Sequence, residues 1–245
     1  MSVTEKNWAV ITPLANESGN FHDFARAVTA TLDRLGCGTI YLVVDHASKD
    51  NTLDLVRAKS ASDSRFVTVW APENKNVVDA YIRGLREAYA AGHEFIVEMD
   101  AGLSHDPGAI PIFLRILGEG NECAFGSRFT VGGSMTETPW TRKILSRGGT
   151  IVTNLLLGTQ MSDMTSGFQA FHREVLESLL SYSLLSEAHF YQTELRYLLR
   201  KRRFAEVPIH YRTTSRSVSQ KAITNSITTL LYYFLRRATF RAASL

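Results

Sequence analysis

The chain has 245 residues, of which 44% are apolar and 21% charged, and its net charge is +3. That length can bury a sizeable core in a single α/β domain, and the composition excludes wholesale disorder. So small a net charge gives no ground for nucleic-acid binding. No run approaches the ~18 consecutive apolar residues of a membrane-spanning helix. The polar start, Met1 to Asn7, leads at once into a strand, so no leader peptide is expected. Cys37 and Cys123 lie apart in apolar surroundings, without metal-type spacing, and read as buried thiols of a cytosolic protein.

Residues 8–12 are apolar and β-branched and predict a first strand, broken by the loop 13–20. Phe21, Phe24, Ala25, Val28, Leu32 and Leu35 recur at helical spacing, and Gly36 ends the helix. A second strand, 39–44, stops at Asp45, and a helix follows from about residue 51. A third strand, 65–70, precedes a helix over 77–91. The fourth, 94–99, ends abruptly in Asp100, Ala101, Gly102, Leu103, Ser104, His105 and Asp106, ahead of a helix carrying Ile110, Phe113, Leu114 and Leu117. Residues 123–125 predict a fifth strand. This alternation predicts a doubly wound, mostly parallel sheet flanked by helices.

The pattern changes after Gly126. A polar loop, 128–138, leads to a helix with Ile144, Leu145, Ile151, Val152, Leu155 and Leu156 that runs to Gly158. Residues 163–171 read as irregular or strand-like, 174–180 and 187–200 as helices, and 205–211 as a last strand. The tail, 222–240, predicts an amphipathic helix whose end gathers Arg236, Arg237 and Arg241. Between residues 196 and 241 eleven Lys or Arg face one acid, Glu206. Such a segment suits phosphates or an anionic membrane surface.

Ligands in open α/β sheets sit at the carboxyl ends of the strands. Three loops there carry carboxylates: 13–17, 45–50 and 100–106. Converging carboxylates suit a divalent cation or the hydroxyls and base of a nucleotide. No Gly-rich phosphate loop, nucleophile elbow or zinc-type His pair occurs. Arg128 and Arg142 supply paired donors that fit phosphate oxygens.

Eight short motifs fall in order. They are Pro13-x-x-Asn16-Glu17; Val43-Val44-Asp45 with Ser48-x-Asp50-x-Thr52; Met99-Asp100-Ala101 with Leu103-Ser104-His105-x-Pro107; and Gly126-Ser127-Arg128. Then come Gly132-Gly133 with Trp140-x-Arg142 and Ser146; Asp163-x-Thr165-Ser166-Gly167-Phe168; Phe190-x-Gln192-x-Glu194; and Glu206-Val207-Pro208-Ile209. Together they resemble the family 2 inverting glycosyltransferases of GT-A fold, above all the dolichol-phosphate mannose synthases and bacterial polyprenyl-phosphate sugar transferases.

That resemblance implies a GT-A domain over residues 1–220 with a C-terminal amphipathic helical extension over 221–245. It implies transfer of a mannose- or glucose-type hexose from a GDP- or UDP-sugar to a polyprenyl or dolichyl phosphate, with inversion. Pro13, Asn16, Glu17 and Asp45 would hold the nucleoside. Asp100, Ala101 and Gly102 match the Asp-x-Asp motif that binds metal and diphosphate, and Ser104 matches a further metal-side position. Arg128 and Arg142 would meet the diphosphate or acceptor phosphate, and Gln192 and Glu194 would lie near sugar and acceptor.

The chain departs from the pattern in three places. Gly102 replaces the second Asp of Asp-x-Asp, which removes one carboxylate from the expected Mg²⁺ or Mn²⁺ site. His46 stands where many relatives have Asp. Near the C-terminus Thr214 and Gln220 fall on an Arg and a Lys of the family, with Ser219 matching and Arg212, Arg216 and Lys221 close by. The alternatives are a family 2 transferase acting on a saccharide, lipid or protein hydroxyl, or a nucleotide-sugar-binding protein without turnover. A lipid acceptor implies a cytoplasmic protein peripheral at the cytoplasmic membrane face, or a membrane-anchored subunit. The tail helix could lie in that interface, pack on the domain, or meet a second copy in a homodimer.

Overall fold

The computed structural model describes residues 7–212 and 220–245. In chain order its strands are β1 (Trp8–Leu14), β2 (Gly38–Val44), β3 (Phe66–Trp70), β4 (Phe95–Glu98), β5 (Cys123–Ser127), β6 (Ser134–Thr136), β7 (Gln169–His172), β8 (Phe204–Pro208) and β9 (His210–Arg212). The helices are α1 (Phe21–Leu35), α2 (Thr52–Ser62), α3 (Val77–Ala90), α4 (Ile110–Gly118), α5 (Trp140–Leu157), α6 (Arg173–Ser181), α7 (Tyr191–Leu198) and α8 (Gln220–Ala238).

Seven strands form one sheet in the order β3-β2-β1-β4-β7-β5-β8, and β6 pairs with β9 in a separate ribbon. β1 lies between β2 and β4, parallel to both, so the loops that follow these three strands open side by side at one edge. Alternation sets the layers. Trp8 and Val10 of β1 enter the core under α1, α2 and α4, while Ala9 and Ile11 enter the core under α3, α6, α7 and the Tyr233 side of α8.

Five features differ from the sequence pattern. β7 runs antiparallel to both its neighbours, β4 and β5. The chain returns from α5 at the carboxyl edge of the sheet, where Gly126 N donates to Phe168 O, so a strand entering from there must run backwards. The predicted last strand divides into β8, paired with β5, and β9, paired with β6. The predicted 187–200 helix is the shorter α7, and all eight of its residues are buried, polar ones included. α5 turns Thr150, Thr153 and Leu157 inward and leaves most of its large apolar side chains outside. Cys37 is exposed, because it follows Gly36 in the turn from α1 to β2 with a positive φ of 51°; Cys123 is buried as expected.

The C-terminal segment is tied into the domain. Tyr233 of α8 is fully buried, and Leu245 N donates to Leu198 O at 2.9 Å. Arg200 and Arg202 donate to the carbonyls of Ala243 and Leu245, and Arg196 is completely buried. Arg200 and Arg202 of the basic cluster therefore brace residues 243–245, while Lys201, Arg203, Arg212, Lys221, Arg237 and Arg241 are exposed.

α3 sits close on β1 because Gly84 faces Ile11: a Cβ there would overlap the Ile11 side chain and crowd Val43. Overpacking of this kind costs about 1–3 kcal/mol. Gly84→Ala should lower unfolding free energy by that amount in urea titration; an unchanged midpoint would contradict the packing described.

Candidate active site

The loops after β1 and β2 interlock at the carboxyl edge through hydrogen bonds that mostly involve the backbone. Asn16, held at φ 58°, donates its amide N to Ser48 Oγ at 3.1 Å and its Nδ2 to Ala47 O, and accepts Lys49 N at its Oδ1. Ser18 N donates to Asp50 Oδ2 and Glu17 N to Thr52 Oγ1. Donation from Ser18 and Thr52 holds the Asp50 carboxyl well below the usual carboxylate range. Asn16 and Asp50 are thus committed to shaping the pocket rim. Pro13 is half-buried on β1, opposite Val43.

Asp45 is nearly buried. Its Oδ1 accepts Ala47 N at 2.8 Å, and Oδ2 has no partner among the described residues, so one oxygen remains for a ligand. His46 Nδ1 lies 2.7 Å from Pro72 O, which requires the proton on Nδ1. The imidazole pins this loop to the end of β3.

Asp100 is the exposed carboxylate at the centre, with 45% of its side chain open to solvent. Its Oδ1 accepts Tyr81 Oη from α3 at 2.6 Å. Oδ2 lies 3.7 Å from His105 Nδ1 and has no hydrogen-bond partner among the described residues. Burial keeps His105 below its ordinary pKa and therefore neutral. The loop between the two is strained: Leu103, a branched residue, adopts φ 55°. Arg212 N donates to Ser104 O, and His105 bridges to Tyr211, so β9 clamps this loop from above. Ser104 itself is buried, and Ala101 packs into the core with Gly102 half-exposed beside it.

Gly167 brings a second segment to Asp100. A Cβ there would crowd Gln192 Nε2 at 3.2 Å and touch Asp100 Oδ1 at an ordinary contact distance of 3.6 Å. Gln192 and Asp100 therefore share one corner of the site. Glu194 does not. It is fully buried and accepts Leu185 N, Ser186 N and Tyr233 Oη at 2.7–2.9 Å. Sequence places Glu194 near sugar and acceptor; in the fold its oxygens are spent on anchoring α8 and the chain before α7.

Arg128 is paired on one side and open to a cavity on the other. Its Nε and Nη2 grip the Asp163 carboxylate at 2.7 and 2.9 Å, and Nη2 also meets Thr165. Burial opposes ionisation of Asp163, but the Arg128 hydrogen bonds and charge prevail and hold its pKa at about 2. Arg128 is thus a fixed cation already paired with an anion, lying against the rings of Phe129 and Tyr211. On its other side a cavity of about 550 Å³ opens between β6 and α5, lined by Arg128, Met135, Lys143, Ile144, Arg147 and Ile151 among others. Arg142, on the first turn of α5, has a buried Nε without a hydrogen-bond partner among the described residues. Arg212 is exposed where β9 ends. Thr214, Arg216 and Ser219 lie outside the described residues.

A model of glycosyl transferase family 2 matches residues 9–180. The chain belongs to this family. It is 31% identical over 205 residues to the polyprenol monophosphomannose synthase of Mycolicibacterium smegmatis, spanning 82% of this chain and 74% of that protein. It is 30% identical over 172 residues to the undecaprenyl-phosphate mannosyltransferase of Micrococcus luteus, spanning 69% and 70%. The dolichol-phosphate mannosyltransferase of Pyrococcus furiosus is 32% identical over 173 residues, 70% of this chain and 47% of that protein. Glucosyl-3-phosphoglycerate synthase of Mycobacterium tuberculosis, solved with UDP, superposes with a TM-score of 0.66 at 18% identity, over 93% of this chain and 79% of that one. The same enzyme has been solved with Mn²⁺, UDP-glucose and phosphoglyceric acid. The structural likeness shows the fold, the GT-A arrangement; the family makes the chain a glycosyltransferase.

The donor set fits a divalent cation that is held partly by substrate. No cluster of three His, Cys, Asp or Glu side chains forms among the described residues. Asp100 nonetheless offers an unpartnered Oδ2 at an open edge, and Mg²⁺-type ions are commonly held by one or two carboxylates with substrate phosphates and water. Such an ion would arrive with the diphosphate and would not occupy a protein-only cage.

Sequence reasoning missed the layer beneath Asp100. Glu98 is fully buried two residues earlier and accepts Gln169 Nε2 at 2.7 Å and Tyr191 Oη at 2.6 Å. Tyr191 stacks on Tyr81 at 5.4 Å between ring centroids, so the two carboxylates are joined through a pair of tyrosines. Both tyrosines sit on buried helix faces, which in sequence read as plain core. Burial pushes Glu98 up from its ordinary 4.5 to about 7. The native state then holds a proton that the unfolded chain has released, so this group's contribution to stability falls as pH rises through that interval. Wild type should lose stability relative to Glu98→Gln between about pH 5 and 7, by up to about 1.4 kcal/mol per pH unit. Denaturant titrations across that range measure it, and a difference independent of pH would refute the assignment.

Proposed function

We propose that this glycosyltransferase moves a hexose of mannose or glucose type from a GDP- or UDP-sugar to a polyprenyl phosphate, with inversion, working at the cytoplasmic face of a membrane. The observation that carries this reading is the cavity beside Arg128. Its walls are apolar on Met135, Ile144 and Ile151 and cationic on Arg128, Lys143 and Arg147, as a phosphate on a hydrocarbon chain requires. The names of the family members at 30% identity and above support the same acceptor class.

The nucleoside would lie across the interlocked loops after β1 and β2, with Asp45 Oδ2 free for a ribose or base donor. Glu17 lines the same rim, its Oε2 bound to Asn20 at 3.2 Å. Asp100 would hold the divalent ion on the diphosphate; when bound, that ion supplies positive charge against the leaving group. Gln192, beside Asp100 across Gly167, is placed to orient the sugar. An acceptor phosphate oxygen then attacks the anomeric carbon from the face opposite the diphosphate. The bond from that carbon to the diphosphate oxygen breaks, and the nucleoside diphosphate leaves with the electron pair. A phosphate is already anionic at neutral pH, so no general base has to be provided. This agrees with a Glu194 sealed beneath three donors. The work left to the protein is alignment and charge stabilisation, which Arg128, Arg142, Lys143 and Arg147 supply.

Purified protein should form a sugar-phosphate-lipid from polyprenyl phosphate with one of GDP-mannose, UDP-glucose or a related donor, and none with free glycans. Chelation of divalent ions should stop it. Asp100→Ala should reduce kcat by about 10²-fold or more with an unchanged melting temperature. Nucleotide binding by calorimetry with no transfer across the donor panel would instead mark a binding protein. Tyr81→Phe should raise the Mn²⁺ concentration for half-maximal rate about 10–100-fold, because the group that orients Asp100 is lost. An unchanged Mn²⁺ dependence would show that Asp100 needs no such support.

A further inference from the structure

We propose that His105 is a positioning residue for the transfer: its Nδ1 accepts the backbone amide of Asp100 and so fixes the carboxylate that receives the diphosphate-bound ion. This role rests on the reading of Asp100 as the ion's ligand and names the group that sets its backbone. Removal of Asp100 tests that reading and exchange of His105 tests this role, so the two can fail separately.

His105 is buried although it closes a loop in which Gly102 and Leu103 are half-exposed. Asp100 N donates to His105 Nδ1 at 3.4 Å, a contact that spans five residues. A backbone amide can only donate, so Nδ1 is the bare nitrogen and the proton sits on Nε2. Nε2 is buried and has no hydrogen-bond partner among the described residues, whichever tautomer is present, so the Asp100 amide decides between them. The choice bears on the carboxylate. Nδ1 lies 3.7 Å from Asp100 Oδ2. A proton on Nδ1 would claim that oxygen, whereas a bare Nδ1 leaves it to a cation. The ring itself is wedged, with its centroid 5.1 Å from that of Phe168 and 5.6 Å from that of Tyr211.

The chain gives this contact unusual weight. Gly102 brings no side-chain oxygen and Ser104 is buried, so Asp100 alone offers the ion a carboxylate in this loop. The loop also carries Leu103 at φ 55°, and strained backbone persists only where its surroundings hold it. Its far end is held by β9, through Arg212 N on Ser104 O and the bridge from His105 to Tyr211. Its near end is held by the imidazole on the Asp100 amide. Tyr81 fixes one carboxylate oxygen from α3, and His105 fixes the backbone from the side of β9. Partners of this kind, one bond removed from a metal ligand, commonly change metal affinity about 10–100-fold. An acceptor at the δ position is what the amide requires. Asn supplies one there as Oδ1, while Phe fills the ring's place and supplies none.

The test is Mn²⁺ binding to the full chain with saturating GDP or UDP, without sugar or acceptor, the free ion being followed by electron paramagnetic resonance. His105→Phe should raise the Mn²⁺ dissociation constant about tenfold or more and melt close to wild type, because the phenyl ring keeps the packing on Phe168 and Tyr211. His105→Asn should stay within about threefold of wild type in ion binding, yet melt lower because it leaves a void. Ion affinity and stability then rank the two variants in opposite order. A residue that only filled space would favour Phe on both counts, and that result overturns the proposal, as does an equal effect of the two variants on the ion or no effect of either. Nitrogen NMR of the wild-type chain should find His105 protonated on Nε2 and bare on Nδ1; a proton on Nδ1 overturns the proposal without any variant. Asp100→Ala that binds Mn²⁺ undiminished, or wild type that binds none with either nucleotide, refutes Asp100 as the ion's ligand and the role of His105 with it.

Discussion

The buried Asp163 carboxylate holds the two halves of the site together. Arg128 grips it from the end of β5, and Arg196 reaches from α7 to its carbonyl and to those of Gly126 and Ser166 at 2.7–3.1 Å. Glu206 on β8 takes the amides of Ser162 and Asp163 from the other side. A buried pair like this adds little to net stability, yet losing one partner leaves a bare charge at a cost of about 3–5 kcal/mol. Its effect is positional. It locks the loop that carries Gly167 against Asp100 and fixes the plane of Arg128 at the cavity wall. Burial lowers Arg196 to about 10, still far above neutral, so the cluster stays charged at working pH.

The reversed strand β7 does the rest of the positioning. Entering from the carboxyl edge, it sets Gln169 opposite Glu98 and so builds a polar layer under the acidic loop. Asp100 is oriented by Tyr81 from α3, whose close seat on β1 depends on Gly84. The site therefore has one solvent-facing carboxylate on a stiff mount where the family pattern leads one to expect two. Gly102 takes nothing from that mount: the clamp comes from Arg212 and Tyr211 on β9 and from the strained Leu103. A single well-held carboxylate is suited to an ion that enters with its diphosphate.

α8 links this interior to the outside. Its inner face sends Tyr233 to Glu194, and its end sends Arg237 to the last carbonyls of α5, so neither outer helix can shift without disturbing α7. Donor crevice, cationic cavity and outward apolar helices thus lie in succession along one body, from polar to apolar. That gradient matches a reaction whose donor is water-soluble and whose acceptor is a lipid.

Short-range pattern in the chain determined the alternating strands and helices up to residue 126, the parallel order around β1, and the acidic loops at one edge, because hydrophobic periodicity and turn residues act locally. The eight spaced motifs determined the family. Tertiary structure alone decided which polar residues are free to act. Asp100 and Glu194 are both acids in matching motifs, yet one faces solvent and the other is sealed by Leu185, Ser186 and Tyr233, groups up to 39 residues away in sequence. Arg196 and Arg147 are both arginines in apolar helices, yet one is swallowed by three carbonyls and the other lines a cavity. Whether the apolar side chains of α5 and α8 were core or surface was equally a matter of packing. Each helix has two apolar faces in sequence, and only the fold shows which one the domain covers.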